Sequence, residues 1–339
     1  MFVSQEGNLI RSSNKDLGEY DLIREAEHVA KVWGAIEKAL PEYWEKFIAA
    51  ERKPESPDPV AALAAKFGKV AAPKKKAESE REVLSRVFEE AVASYEKEAE
   101  KYRKFFQPDA LEEFQDDPNS FKQALARDVP VIANTLRQRR AELREWQAHF
   151  RMARAKDLLA VFSNVKDFAD DWCEAHAVED YEDFDDAAVF ELDPLDDDDA
   201  MVMFNVVGMG IKSIVLYHLH PDRLPARGRN GLYGLYFLSG REHFGLPSKS
   251  SEFLMVNDLS PASDGSIIMD QNYWYPYGLF SLYALRVFKW IEQRATKAGY
   301  SFDRSVRHVF VERFFQSVCD QHDADLKTMR AHERFEVPA

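Results

Sequence analysis

The stretch Val206-Val207-Gly208-Met209-Gly210-Ile211-Lys212-Ser213 runs an apolar pair into G-x-G-x-K-S and then into a helical pattern. Two glycines one residue apart let a backbone turn tightly and leave its N–H groups uncovered. A helix that starts at once adds the positive end of its dipole. The chemistry that suits such a turn is phosphate binding. Two common phosphate motifs are excluded: a P-loop separates its glycines by four residues, and the dinucleotide fingerprint has a third glycine where Ser213 stands. From Met201 to Gly245 the chain carries five basic residues, Lys212, Arg223, Arg227, Arg229 and Arg241, against Asp222 and Glu242. The turn therefore lies in a locally basic stretch. The plainer reading of the same residues is a tight turn before a packed helix, with a solvated lysine in its first turn.

The segment resembles the hairpin of the helix-hairpin-helix DNA-binding family, whose pattern is apolar-x-G-apolar-G-x-[KR]-[TSA]. Val206, Gly208, Met209, Gly210, Lys212 and Ser213 match it position by position. The resemblance is one of a module, spanning about twenty residues. It implies a glycine turn that joins two short helices and holds one phosphate of a duplex from the minor-groove side. On that reading Gly208 and Gly210 offer amides, Lys212 and Ser213 meet the same or the adjacent phosphate, and Arg223, Arg227 and Arg229 extend the contact. Base-excision DNA glycosylases carry this hairpin, and some use its lysine as the nucleophile on a flipped-out nucleotide, the role that would fall to Lys212. Those enzymes need an aspartate about eighteen residues further on to stabilise charge on the sugar. Asn230 stands there, and no acid occurs between Asp222 and Glu242. An amide cannot supply that charge, so the resemblance implies binding without cutting.

At 339 residues, 45% hydrophobic and 13% aromatic, the chain can bury a sizeable core and fill two domains. Cys173 and Cys319 show no zinc-site spacing to histidine and read as buried small hydrophobes in a reducing compartment. Residues 1–13 lack a secretory pattern, and the longest apolar stretch, 200–211, is too short to span a bilayer. A cytoplasmic protein with no membrane role is expected. No motif asks for a cofactor. Asp196 to Asp199 cannot all converge on one cation from a strand or helix, so no metal is assigned. A net charge of −14 argues against nucleic acid, yet 16 acids and a single base lie between Lys166 and Ala200, and the remainder is close to neutral. Phe168, Trp172, Tyr181, Phe184, Phe190, Leu192 and Leu195 are interleaved with those carboxylates. The block reads as a solvated connector, as an intramolecular mimic of nucleic acid that covers a basic face, or as a surface for a basic partner.

The elements that must position these residues are mostly helical. Ile23, Ala26, Ala30, Trp33 and Leu40 keep helical spacing until Pro41 interrupts it. Linkers are expected at Arg52–Pro59 and Ala72–Lys76, around a short helix. Ser79 with Glu82 forms a capping box, and Leu84, Phe88, Ala91, Tyr95, Tyr102 and Phe106 make an apolar stripe of about seven turns. Ile132, Leu136, Leu143, Trp146, Phe150 and Ala153 make a second stripe, expected as one long antiparallel partner helix. Beside it lie Arg137, Arg140, Arg144, Arg151 and Arg154, either a phosphate-tracking rail or partners of Glu89, Glu90, Glu96, Glu98 and Glu100.

Further on, a helix follows the hairpin until Pro221, another covers Asn230–Leu238, and Glu252–Val256 with Ser266–Met269 suggest a small β-hairpin. Phe280, Tyr283, Val287 and Trp290 read as a core helix. Tyr273, Trp274, Tyr275 and Tyr277 read as a loop anchor, or as a surface for a base or an interface. His218 and His220 diverge on a helix, and Cys319, Asp320, His322 and Asp323 form no catalytic arrangement.

The expected fold is mainly α: an elongated helical bundle (1–165), an acidic connector (166–200) and a helical domain (201–339) with the helix-hairpin-helix-like element and a small β-hairpin. The expected function is a non-catalytic DNA-binding component of a larger assembly with protein partners. Genome maintenance or phage defence would be suitable settings. The alternatives are a helical scaffold or adaptor, and a glycosylase or lyase using Lys212.

Overall fold

Helices fill most of the computed structural model, which describes residues 19–53, 78–140, 143–256 and 269–331. A short α1 (Glu19–Leu22) leads into α2 (Ala26–Glu51). Val32, Ile36, Leu40, Trp44 and Phe47 recur there at three- and four-residue steps and are buried. Contrary to the sequence expectation, α2 runs straight through Pro41. Proline removes one helical hydrogen bond and crowds the preceding turn. Here Leu40 and Trp44, buried on either side of it, hold the helix together from outside. The Trp44 indole also donates to the Glu80 carboxylate at 2.8 Å, tying α2 to the start of the next helix.

That helix, α3 (Glu80–Phe105), begins at the expected capping box: the Glu82 carboxylate accepts from the Ser79 N–H at 2.7 Å, and the Glu82 N–H donates to the Ser79 hydroxyl at 3.4 Å. Three short helices follow, α4 (Pro108–Asp116), α5 (Pro118–Asp128) and α6 (Pro130–Arg137), each opened by a proline whose missing N–H is not needed in a first turn. Then comes α7 (Arg144–Met152). The single long helix expected over 132–153 is therefore two helices. The Gln147 side-chain amide donates to the carbonyls of Thr135 (2.9 Å) and Gln138 (2.8 Å), satisfying groups that the end of α6 leaves open.

The acidic block is not a connector. It is the end of α8 (Ala155–Ala175), α9 (Val178–Tyr181), a 3-10 turn at Ala187–Phe190 and α10 (Asp193–Asp197). Trp172, Tyr181, Phe184, Phe190, Leu192 and Leu195 are buried, and the Trp172 indole donates to the Phe190 carbonyl at 2.6 Å. Several carboxylates have internal partners: Glu182 meets Arg304 at 2.6 Å and Arg307 at 3.1 Å, and Asp170 meets Lys166 at 2.5 Å and His220 at 2.9 Å.

The remaining elements are α11 (Met209–Leu219), α12 (Arg229–Leu238), the antiparallel pair β1 (Leu254–Val256) and β2 (Met269–Gln271), α13 (Tyr277–Lys297), a 3-10 turn at Arg304–Val306, α14 (Arg307–Gln321) and α15 (Asp323–Ala331). Leu254 lies opposite Gln271, so the second strand starts where the sequence reading ended it. Residues 257–268, and the linkers and short helix expected between 54 and 77, lie outside the described residues. Helix α14 packs against α2, α3, α12 and α13.

Buried side chains form one continuous core from Ile23 to Leu326, to which both halves contribute. Boundaries at 165 and 200 are therefore not domain boundaries: α2 and α3 would expose their apolar faces without α12 and α14. The protein is mainly α-helical, with one two-stranded sheet among the described residues. No described helix is long and apolar enough to cross a membrane.

Candidate functional site

The glycine turn begins at a small bridged loop in which Met203 pairs with Val207 and Asn205 takes a positive φ of 62°. The Val206 carbonyl accepts from the Trp146 indole at 2.9 Å, which sets α7 beside the turn. Gly208 is the N-cap of α11 with extended backbone (φ −98°, ψ 178°), and both Gly208 and Gly210 are exposed with open space where a Cβ would stand. Neither position demands glycine. A bridged loop precedes the turn, and the nearest earlier helix is the five-residue α10. The exposed Gly208 and Gly210 at the start of α11 are what remains of the expected phosphate-binding turn, the Ile211 N–H being bonded to the Gly208 carbonyl at 3.0 Å.

The cations expected beside that turn are mostly committed inside the protein. Lys212 is only 1% exposed, and its ammonium donates to the Leu195 carbonyl. Ser213 is buried, with its hydroxyl toward the Gly210 carbonyl at 3.4 Å. Arg227 is 3% exposed and donates to the carbonyls of Asn272 (3.2 Å), Tyr275 (3.0 Å) and Tyr273 (2.9 Å), so it fastens the aromatic loop. Arg223 donates to the carbonyls of Cys173 (2.5 Å) and His176 (2.8 Å), beside the end of α8. Arg229 lies over the Tyr233 ring and 3.9 Å from Asp270, partly exposed. Lys212, Ser213 and Arg227 are thus corrected from phosphate contacts to interior groups, and Arg223 is spent on carbonyl oxygens.

The signal for this was the company Lys212 keeps: Ile211, Ile214, Val215 and Leu216 make α11 apolar nearly all round, as buried helices are. As a nucleophile Lys212 faces the wrong way, since its nitrogen points into the protein. Asn230, at the position of the glycosylase aspartate, donates to Glu312 (3.0 Å) and Gln316 (2.6 Å) and ties α12 to α14.

Burial lowers the Lys212 ammonium to about 8, against the opposing pull of Asp196. Between that value and the ordinary 10.5 the unfolded chain binds the proton more tightly, so stability rises with pH across this window. From pH 7.5 to 9.5 the rise should amount to about 2 kcal/mol. Urea unfolding of Lys212→Met should show that rise missing; an unchanged rise would mean that another group causes it.

The strongest exposed basic feature lies elsewhere. Residues 119–156 hold nine bases against three acids. Among the described residues, Arg137, Arg139, Arg144 and Arg151 are exposed, and none has a carboxylate within ion-pair distance. Their neighbours are occupied: Arg127 is bidentate on Asp128, Arg154 meets Asp157 at 2.6 Å, and Lys122 donates to the carbonyls of Arg151 and Ala153. The acids suggested as partners on α3 are engaged elsewhere in part, Glu96 with Arg103 and Glu89 with Ser85. Because α6 ends at Arg137, these arginines do not share one helical face; they surround the α6–α7 junction. Met152 at the end of α7 is 72% exposed. Helix α6 also packs on α11, so the junction and the glycine turn adjoin.

No family model, curated protein or solved structure matches this chain.

The polar clusters that the sequence did not reveal are buried ones. His28 on α2 meets Glu252, whose other oxygen accepts from the Tyr275 hydroxyl at 2.6 Å, sealing α2 onto the β-hairpin. Tyr275 is a fully buried loop anchor and Tyr277 is buried as the first residue of α13, while Tyr273 is half exposed and donates to Asp270 at 2.7 Å. His218 stacks between Tyr95 and Tyr102. Partners separated by a hundred residues or more leave no spacing to read.

Proposed function

We propose that this protein binds the phosphate backbone of duplex DNA without acting on it chemically, as one component of an assembly that supplies any reaction. The observation that carries this reading is the set of exposed arginines at the α6–α7 junction, Arg137, Arg139, Arg144 and Arg151, which form no ion pair among the described residues of a chain of net charge −14. A protein with surplus carboxylates has ample acid to neutralise surface cations. Guanidinium groups left open beside exposed helix-start amides suit a polyanion, because each phosphate contact releases condensed counterions. The exposed Gly208 and Gly210 add amide donors on the adjoining element. Lys212, Ser213 and Arg227 support the scaffold from within.

The test is a duplex-binding titration over a range of salt concentrations with all four arginines changed to glutamine. The logarithmic salt slope should become shallower by about 3.6, four phosphate contacts at about 0.9 each. The single variant Lys212→Met should leave the slope as it is. Equal affinity and slope for wild type and the four-arginine variant would remove the proposal.

A further inference from the structure

We infer that the groove bounded by α3, α4, α5 and α6 receives an unpaired nucleotide segment that runs off the arginine face; this rests on the duplex-binding reading above. The groove encloses about 870 Å³, within the range of pockets that take small ligands and too small for a duplex. Its apolar side includes the buried Phe105 and Pro130 and the partly exposed ring of Phe114. Lys101 and Lys104, one turn apart on α3, are exposed on its rim and have no ion pair among the described residues.

Two acids also line it. Asp128 is neutralised by Arg127, which leaves Glu98 against Lys101, Lys104 and Arg137. Arg137 belongs both to this rim and to the unpaired arginine set, so the two surfaces are continuous. Aromatic floor and cationic rim together are what single-stranded nucleic acid uses: a base stacks on the ring and its phosphates follow the positive edge. An acidic peptide would use the rim but has no need of the ring.

The experiment compares a blunt duplex, the same duplex with a short unpaired thymidine tail, and poly-glutamate. Each is titrated against wild type, Lys101→Gln with Lys104→Gln, and Phe114→Leu. Wild type should bind the tailed duplex about tenfold tighter than the blunt one. Both variants should erase that gain and keep blunt-duplex affinity within about twofold. If Phe114→Leu does not fold, the lysine pair alone decides.

The inference is overturned if wild type shows no gain from the tail, if the gain survives in the lysine variant, or if that variant loses poly-glutamate binding instead. Blunt-duplex binding that stays dependent on the four arginines with no gain from the tail sinks the groove alone. Blunt-duplex binding that ignores those arginines sinks the reading beneath it.

Discussion

Gly234→Val should lower stability by about 3 kcal/mol and the melting temperature by about 4 °C. Gly234 lies mid-way along α12, facing Phe315 of α14. A Cβ built there would sit 2.8 Å from Cδ1 of Phe315 and 3.1 Å from its Cβ. Phe315 is itself buried, beside Phe314 and against Phe280, so it has no room to withdraw. Alanine at this position would recover up to about 1 kcal/mol of helix propensity and blur the result, whereas the branched valine adds atoms where none fit. Gly210→Val supplies the contrast. No described atom beyond its chain neighbours and its own helical backbone lies within 4 Å of its Cβ, and the change there should stay within about 0.5 kcal/mol. Equal urea midpoints for the two variants would show that the α12–α14 contact is not the close approach described.

Removing the ring titration of His218 should protect the protein from acid. His218 on α11 lies 4.1 Å from the Tyr102 ring at 9° and 5.5 Å from the Tyr95 ring at 11°, and its Nδ1 bonds to the Ile214 carbonyl at 2.7 Å. That bond needs a proton on Nδ1, which the neutral ring provides. Desolvation by burial lowers its pKa to about 4, outweighing the help of the Ile214 carbonyl, and the charge on Arg103 adds to the lowering. As pH falls below 6.5 the unfolded chain takes up a proton that the folded chain refuses until about 4. Stability is therefore lost across that window, by on the order of 2–3 kcal/mol at pH 4.5.

His308, buried beside Tyr181, acts in the same direction, while Asp196 and Glu312, raised by burial, act against it. For that reason the informative quantity is the difference between wild type and His218→Phe, which keeps a flat ring in the stack. Urea midpoints at pH 7 and pH 4.5 should converge for the variant and diverge for wild type. Parallel behaviour would assign the acid sensitivity to another group.

Local signals in the chain were readable and long-range ones were not. Ser79 and Glu82 announce the start of α3 because their reciprocal bonds span three residues, and the stripe from Leu84 to Tyr102 follows from helical period alone. Pro41 misleads because its penalty is local while the burial of Leu40 and Trp44 that overrides it comes from α3, α13 and α14. The break after Arg137 is invisible because Ile132 and Phe150 keep a helical phase on either side of it.

At the candidate site the arginine spacing around α6 and α7 was legible. That Arg137, Arg139, Arg144 and Arg151 form no ion pair among the described residues was not, since it depends on where α3 and α8 lie. Lys212 misled most: a lysine in a first helical turn is usually solvated, and only the fold brings the Leu195 carbonyl over α11 to receive it.

The burial of Trp172, Phe190 and Leu195 reaches beyond the fold itself. It fastens the acids of 166–200 to the same core that carries α6 and α7, so charges of opposite sign are locked onto one body instead of drifting on a tether. Such a body is a permanent electric dipole. Within a Debye length of a charged polymer, about 10 Å in 0.1 M salt, it experiences a torque before it experiences contact. On the duplex-binding reading proposed above, an approaching polyanion is turned toward Arg137, Arg139, Arg144 and Arg151 and away from the fixed carboxylates. Approach is thus selected by orientation at the cost of some overall attraction.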